Sequence, residues 1–289
     1  MVKSFFKRLS PHFQFFAGVH ELRKGNAILQ AVEYERLKQE LRETSPENPA
    51  LSGFKVYSQT DEDGIIAAIF RKIPHQGNFV EIGVQSGTEC NSLLLLLQGW
   101  KGVWLEGSAK YVSAIHQALG GTDFPGRFRA RQAFVSKENI VGLIEESQAF
   151  LNCEELDLLS VDIDGNDVHV LRELLSAGRR PKVICVEYNA KFPPGISVSV
   201  RYSPDHVWDL TDYMGSSLQV MVDGLSGFGY VLLTCNIPGI NAFFIREDLA
   251  DAFTIYPLEK VYQPARHYLS PMQPPQVPSL GYLRDVLAS

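Results

Sequence analysis

The sequence of 289 residues predicts an α/β fold with a mainly parallel sheet and helices on both faces. Short apolar segments, such as NFVEIGV over Asn78–Val84 and KVICVE over Lys182–Glu187, alternate with helical segments, so parallel strands are joined by right-handed crossovers. Near the C-terminus, Tyr230–Thr234 and Asn241–Ile245 flank a short loop with Pro-Gly, which predicts an antiparallel hairpin. Five parallel strands and this hairpin give a seven-stranded sheet.

The N-terminal region precedes this pattern. Ala27–Arg42 is rich in strong helix formers, and the segment SPENP at 45–49 ends that helix. We therefore predict a helical N-terminal arm over 1–50, an α/β domain over 51–250, and a Pro-rich C-terminal extension with a short helix over 251–289.

Within the α/β domain, apolar residues repeat at helical or strand spacing. The predicted helices are Asp61–Arg71, Thr88–Gln98, Ser108–Leu119, Glu138–Phe150 and Asp167–Ala177, and the strands are Asn78–Val84, Gly102–Glu106, Phe128–Val135, Leu156–Asp162 and Lys182–Glu187. Ser136 is the predicted N-cap of the fourth helix.

The first 25 residues mix basic side chains with five phenylalanines. One interpretation is a helical arm that packs on the domain or on the second subunit of a homodimer, and we favour it. The other is peripheral contact with an anionic membrane surface.

Composition excludes several classes of protein. The net charge of −6 and the absence of a Lys/Arg stripe argue against nucleic acid as a partner. The four cysteines have no C-x-x-C spacing, which is typical of reduced thiols in a cytoplasmic protein. The apolar run Leu93–Leu97 is far too short for a transmembrane segment, and no signal-peptide cleavage pattern follows the N-terminus. We therefore expect a cytoplasmic location.

Acidic residues end two neighbouring predicted strands around a glycine turn. Glu81 precedes the turn Gly83–Gly87, and Glu106 lies about 20 residues beyond it, where a carboxylate commonly accepts ribose hydroxyls. The turn lacks G-x-G-x-x-G spacing, and Glu81 would repel a pyrophosphate. S-adenosylmethionine carries a sulfonium and an ammonium group but no phosphate, so the sequence predicts this cofactor. The alternative is that these are ordinary strand ends.

Several segments carry a family resemblance. They are YSQ at 57–59, DEDG at 61–64, FVEIG at 79–83 with Gly87, ECN at 89–91, GW at 99–100, WLEG at 104–107, DIDGND at 162–167, EYN at 187–189 and GINAFF at 239–244. With these segments the chain resembles the FkbM-type methyltransferases of the class I superfamily over most of Phe54–Arg246. Gln85 departs from the pattern, since many class I members have a middle glycine there.

The resemblance implies a Rossmann-like class I methyltransferase fold with S-adenosylmethionine at the strand ends. The implied cofactor-binding residues are Gln59, Asp63, Glu81, Gly83, Gly87, Glu106, Gly107, Ala133, Phe134, Ser136 and Asp162. Those around the glycine turn would hold the methionine part, Glu106 the ribose, and the three after the third strand the adenine. Gln59 and Asp63 would close over the cofactor, and helix capping is an equal alternative for both.

On the acceptor side, two neighbouring strands are followed by residues that offer hard oxygen ligands: Asp162, Asp164, Asn166, Glu187 and Asn189. By analogy with metal-dependent O-methyltransferases, Asp162 and Glu187 would bind Mg²⁺, Mn²⁺ or Ca²⁺, with Asn189 as third ligand. The alternative is that Asp162 binds the cofactor ammonium group and Asn166 caps the following helix.

The candidate general bases are His206, Asp164 and His169. We favour His206 because it lies in Lys191–Met214, a long segment without periodicity that is predicted to cover the substrate. The resemblance implies methylation of a hydroxyl on a small molecule or saccharide: a sugar, glycoconjugate precursor or secondary metabolite. The alternatives are a nicotinamide oxidoreductase, disfavoured by the turn spacing and by the lack of a Tyr-x-x-x-Lys pair near the fourth strand, and a non-catalytic cofactor-binding scaffold.

Overall fold

A computed structural model describes residues 25–119, 124–269 and 276–288. The phenylalanine-rich start of the predicted arm lies outside these residues. The described chain opens with helix α1 over residues 25–44, which buries Leu37 and Leu41 against the α/β domain. None of the helices in the described ranges combines the length and the apolar composition that crossing a bilayer requires.

Helices and strands alternate along the rest of the chain. The strands are β1 (Asn78–Ile82), β2 (Lys101–Glu106), β3 (Phe128–Gln132), β4 (Leu158–Val161), β5 (Val183–Glu187), β6 (Tyr230–Cys235) and β7 (Asn241–Arg246). The helices are α2 (Glu62–Phe70), α3 (Leu93–Leu97), α4 (Ala109–Ala118), α5 (Ile140–Leu151), α6 (Asp167–Ser176), α7 (Leu218–Ser226), α8 (Leu258–Val261) and α9 (Gly281–Leu287). Short 3₁₀ turns cover Pro49–Ser52, Glu247–Ala252 and His267–Leu269.

The strands form one seven-stranded sheet in the order β3-β2-β1-β4-β5-β7-β6. The first five strands are parallel, and β7 runs antiparallel between β5 and β6. The predicted seven-stranded sheet with its terminal hairpin is confirmed, and the fold is the Rossmann-like α/β methyltransferase fold. The strand order reverses between β1 and β4, so a ligand is expected outside the carboxyl ends of these strands.

The sheet separates two apolar cores, because successive side chains of a strand point to opposite faces. On β1, Val80 packs in the core that includes Ile144 of α5 and Leu171 of α6. The neighbouring Phe79 packs in the other core, with Ile66 of α2. Helices therefore cover both faces of the sheet. Their packing holds the carboxyl ends of the strands in place, and the site is built on these strand ends.

Some predicted boundaries need correction around the site. The third strand ends at Gln132, and the helix predicted from Thr88 begins only at Leu93. Ser136 is not an N-cap, since α5 begins after Asn139. Instead, the Ser136 N–H donates to Asn139 Oδ1 at 2.9 Å, and this bond closes the loop between β3 and α5.

The C-terminal extension packs beside the end of β5. The Tyr262 hydroxyl donates to the Ala190 carbonyl at 2.7 Å, and the Tyr188 hydroxyl donates to the Gln263 carbonyl at 2.5 Å. Tyr282 of α9 is buried and donates to the Met214 carbonyl. The extension therefore contributes to the surroundings of the site, and the proposed three-part division of the chain stays a prediction.

Candidate active site

A cavity of about 810 Å³ opens at the carboxyl ends of the parallel strands. It reaches from Gly83, after β1, and Glu106, at the end of β2, to Asp162, after β4, and Glu187, at the end of β5. This is the position at which the reversal of strand order leaves a crevice. Its volume is within the usual range for a cofactor pocket, roughly 300–1,000 Å³.

The structure brings together most of the residues predicted for the site. Those that line the cavity are Gln59, Gly83, Glu106, Gly107, Ala133, Phe134, Asp162, Asp164, Glu187 and His206. Those that do not line it are Asp63, Glu81, Gly87, Ser136, His169 and Asn189. The residues of the second group make hydrogen bonds or packing contacts that hold them away from the cavity.

The glycine turn after β1 is compact because two of its residues admit no side chain. Gly83 has φ +86°, and a Cβ there would lie 1.7 Å from the Asp162 carbonyl oxygen. Gly87 has φ +73°, and a Cβ there would lie 2.5 Å from the Trp104 ring. Gly83 therefore allows the end of β1 to contact the turn after β4 at the cavity. Gly87 instead allows the glycine turn to pack on the Trp104 ring.

Glu106 connects this turn to helix α4. Its carboxylate accepts the Gln85 N–H at 2.7 Å and the Ser108 N–H at 2.8 Å. Gln85 has φ +48°, a conformation that favours glycine, so the turn keeps a glycine-like path at the position where the family resemblance fails. The side chain of Glu106 is thereby fixed at the cavity wall.

The prediction that Glu81 faces the cofactor needs correction. Its buried carboxylate accepts the N–H groups of Asn91 at 2.8 Å and Ser92 at 2.9 Å, and it also accepts the Ser92 hydroxyl. Burial raises the pKa of Glu81. Asp63 likewise accepts the backbone N–H groups of residues 56–58. Both acids hold loops beside the site and do not line it.

Three carboxylates form an acidic cluster at the far side of the cavity: Asp162, Asp164 and Glu187. One oxygen from each lies within 4.8 Å of the others. Burial, and then repulsion by neighbouring acids, raises the pKa of Asp162 and of Glu187 well above the ordinary range. Glu187 Oε2 is buried and has no hydrogen-bond partner. A positively charged ligand would favour the ionised forms of these carboxyls.

The turn after β4 positions Asp164 in this cluster. Asp164 has φ +55°, and Asp167 supports the turn by accepting the N–H groups of Ile163 and Gly165, both at 2.9 Å. A Cβ on Gly165 would lie 2.2 Å from the His206 ring. His206 therefore packs directly on the turn that carries Asp164.

The helix-capping interpretation of Asn166 also needs correction. Asn166 occupies the N-cap position of α6, but its side chain makes no capping hydrogen bond. Its amide donates instead to the Ser203 carbonyl at 2.7 Å. This bond ties the turn after β4 to the segment that contains His206.

The candidate bases separate clearly in space. His206 lines the cavity, and its buried Nε2 has no hydrogen-bond partner. Burial raises the pKa of Asp164, and the charge of the neighbouring His206 opposes that rise. The prediction of His169 needs correction, because its Nε2 lies 2.8 Å from the Val200 carbonyl oxygen and its ring packs on Tyr202.

Asn189 is not part of the acidic cluster, so the predicted ligand set needs correction. Its amide nitrogen donates to the carbonyls of Asp212 at 2.9 Å and Met214 at 3.1 Å, and its Oδ1 accepts the Lys191 N–H. These bonds hold the segment after β5. Asp164, and not Asn189, lies with Asp162 and Glu187 in the acidic cluster.

Several cavity residues were not predicted as site residues. They are Ser108, Tyr111, Val207, Leu210, Met214 and Gln276, among others. Trp208, whose indole donates to the Thr211 carbonyl at 2.6 Å, also lines the cavity. Like Val207, Leu210 and Met214, it lies in the segment predicted to cover the substrate. Gln276 belongs to the C-terminal extension, and no local pattern in the sequence indicates its proximity to the strand ends.

A search against models of known protein families finds no match, and neither does a search of curated proteins. Among solved structures, the N-terminal domain of EvdMO1 with SAH bound aligns with a TM-score of 0.41 and 14% identity over 73% of this chain and 94% of that chain. An O-methyltransferase from Bacillus cereus in complex with SAH gives 0.36 and 17%, over 62% and 76%. The glycopeptide N-methyltransferase MtfA with S-adenosylmethionine gives 0.39 and 12%, over 66% and 96%. The fold assignment rests on the strand order of this chain itself.

Proposed function

We propose that the chain is an S-adenosylmethionine-dependent methyltransferase that methylates a hydroxyl of a sugar, glycoconjugate precursor or secondary metabolite. The observation that carries this proposal is the acidic lining of the cavity at the point where the strand order reverses. Glu106 and the acidic cluster together attract a sulfonium and an ammonium group. The same charges would repel the pyrophosphate of a nicotinamide dinucleotide, which disfavours the oxidoreductase alternative.

The cavity offers a matching group for each part of the cofactor. Glu106, held at the end of β2, would accept the ribose hydroxyls. Phe134 is 48% exposed and lies beside Gly107, where a Cβ would approach its ring to 3.2 Å. Phe134 would therefore flank the adenine, and Gly107 would leave room for it.

The acidic cluster fits a divalent cation of the Mg²⁺, Mn²⁺ or Ca²⁺ type. Asp162, Asp164 and Glu187 would hold it, since these ions prefer carboxylate oxygens and Glu187 Oε2 lacks another partner. A cation bound there would lower the pKa of an acceptor hydroxyl and help to position it. The alternative occupant is the ammonium group of the cofactor, held by Asp162.

Methyl transfer requires the acceptor oxygen in line with the bond between sulfur and the methyl carbon. The oxygen–carbon bond forms as the sulfur–carbon bond breaks, and the hydroxyl proton passes to a base on the protein. Orientation of this kind contributes on the order of 7–11 kcal/mol in favourable cases. His206, whose buried Nε2 has no hydrogen-bond partner, is the first candidate base, and its packing on Gly165 fixes its position. Asp164 is the second candidate.

Calorimetric titration with S-adenosylhomocysteine and with NADH tests the proposal. We expect the first to bind and the second not to bind. Glu106→Ala should abolish binding of S-adenosylhomocysteine, whereas Glu259→Ala, at an exposed acid away from the cavity, should leave it unchanged. Binding of NADH alone would overturn the proposal. A chain that binds the cofactor but methylates no hydroxylated compound would instead be a scaffold.

A further inference from the structure

A second cavity, of about 470 Å³, adjoins the main one. The two share His206 and Val207 in their linings. The C-terminal extension contributes Leu280 and Arg284 to the second cavity. Space therefore continues from the candidate base toward the C-terminal extension, beyond the volume in which methyl transfer would occur.

Large aliphatic side chains are exposed along this path. Val207 is 71% exposed, Leu210 is 66% exposed and Leu280 is 75% exposed. Val207 lines both cavities, Leu210 the main one and Leu280 the second. Single exposed apolar residues need no explanation, but three that follow one continuous cavity mark a surface suited to an apolar ligand.

Leu210 has an unusual backbone conformation. Its φ is +67°, a region that a leucine seldom occupies. The neighbouring backbone is held by bonds to the C-terminal extension, since the Asp212 N–H donates to the Val277 carbonyl at 2.9 Å. Strain that the surroundings maintain, at a residue exposed to a cavity, is typical of functional positions.

Leu280 lies on an anchored segment and not on a frayed chain end. The Ser279 N–H donates to Asp212 Oδ1 at 2.8 Å. A Cβ on Gly281 would lie 2.4 Å from the Tyr213 ring, so the backbone there packs closely on that ring. The position of Leu280 at the second cavity is therefore fixed on both sides by contacts with the segment after β5.

We propose that the methyl acceptor is amphiphilic, with its reacting hydroxyl beside His206 and Asp164. Its aliphatic part would run from Leu210 in the main cavity past Val207 to Leu280 in the second cavity. This inference rests on the proposed function and narrows its substrate class. An acceptor without an aliphatic part would leave the three exposed side chains in contact with water. An acceptor with an aliphatic part would bury these side chains, and each methylene group removed from water would increase its affinity.

The test uses 1,2-butanediol, 1,2-hexanediol and 1,2-octanediol as probes that share a hydroxylated end and differ in chain length. Binding to the full chain is followed by tryptophan fluorescence, to which Trp208 contributes from the lining of the main cavity. We expect affinity to rise roughly 15-fold for each pair of methylene groups that is fully buried. The double variant Val207→Ser/Leu280→Ser should lose most of this chain-length dependence, because only Leu210 of the three side chains remains. The control Leu287→Ser removes an exposed leucine that does not line either cavity, and it should retain the wild-type series.

Equal affinity of the wild type for the three diols would overturn the inference, and so would a chain-length dependence that is undiminished in the double variant. Titration of the same samples with S-adenosylhomocysteine separates this result from the proposed function. If the diols show the chain-length dependence but S-adenosylhomocysteine does not bind, the proposed methyltransferase function is contradicted and the binding site for an amphiphile is supported. If S-adenosylhomocysteine binds but the diols show no chain-length dependence, the proposed methyltransferase function is supported and the amphiphilic acceptor is contradicted.

Discussion

The Gln85 backbone N–H donates a 2.7 Å hydrogen bond to the Glu106 carboxylate, which joins the glycine turn after β1 to the end of β2. Gln85 adopts φ +48° although it carries a side chain. Gln85 therefore occupies a backbone conformation that glycine adopts more readily. The bond to Glu106 stabilises that conformation and holds the carboxylate at the cavity wall.

This relationship predicts that Gln85→Gly keeps both fold and cofactor site. Glycine relieves the positive φ but adds freedom to the unfolded chain, so the free energy of unfolding should change by about 1 kcal/mol or less. Affinity for S-adenosylhomocysteine should stay within about threefold. Gln85→Val should be less stable than wild type by about 1–2 kcal/mol, because a β-branched residue tolerates this conformation poorly. Urea denaturation and calorimetry measure both effects, and a large loss of affinity in Gln85→Gly would contradict the assignment.

Two glycines with similar backbone angles should respond differently to alanine. Gly83 has φ +86° and Gly99 has φ +93°, but a Cβ on Gly99 meets nothing within 4 Å, whereas one on Gly83 meets the Asp162 carbonyl at 1.7 Å. Gly99→Ala should lose about 1–2 kcal/mol in free energy of unfolding, from conformation alone. Gly83→Ala should lose at least about 3 kcal/mol and bind no S-adenosylhomocysteine, because β1 and the turn after β4 must separate. Equal urea midpoints for the two variants would show that the close contact does not constrain the site.

The acidic cluster predicts a cation effect that depends on pH. Asp162 and Glu187 have pKa values raised above those of the unfolded chain, so their contribution to stability is full at low pH and is lost as pH rises through the raised values. A cation offsets this loss only where the acids ionise. In thermal unfolding, Mn²⁺ should raise Tm by roughly 5 °C at pH 8 and by much less at pH 5.

Variants of two cavity acids test the location of that cation. Glu187→Gln removes a cluster charge, so it should make Tm less dependent on pH and should abolish the Mn²⁺ effect. Glu89→Gln is the matched control, because Glu89 lines the same cavity but pairs with Lys55 at 3.0 Å and lies outside the cluster. The same Mn²⁺ shift in both variants would place the cation elsewhere and favour the ammonium alternative for Asp162.

The assignment of the base predicts a difference between two histidines. His206→Ala should lower kcat by about 100-fold or more, as expected for loss of a general base, with affinity for S-adenosylhomocysteine nearly unchanged. His169→Ala should keep kcat within about threefold, because His169 contacts Val200 and Tyr202 and not the cavity. If His206→Ala retains activity and Asp164→Asn loses it, the proton passes to the carboxylate of Asp164. The measurement is the pH dependence of turnover in all three variants.

Local patterns in the sequence were sufficient to predict the strands, the terminal hairpin and the acidic residues at the strand ends. Apolar runs of the length of β1 and β5, separated by helical segments, allow few topologies besides a parallel sheet. Because parallel strands present their carboxyl ends at one edge, Glu106, Asp162 and Glu187 were expected to converge, and they do. These features follow from residues close together in the chain.

Only the tertiary structure decided which polar side chains face the cavity. Glu81 and Glu106 look alike in the sequence, yet Asn91 and Ser92 bind the first and leave the second at the cavity. Gln276 reaches the site from the C-terminal extension, which no local pattern indicates. The physical reason is that spacing along the chain sets the path of a strand, whereas the direction and the partners of its polar groups depend on segments distant in sequence.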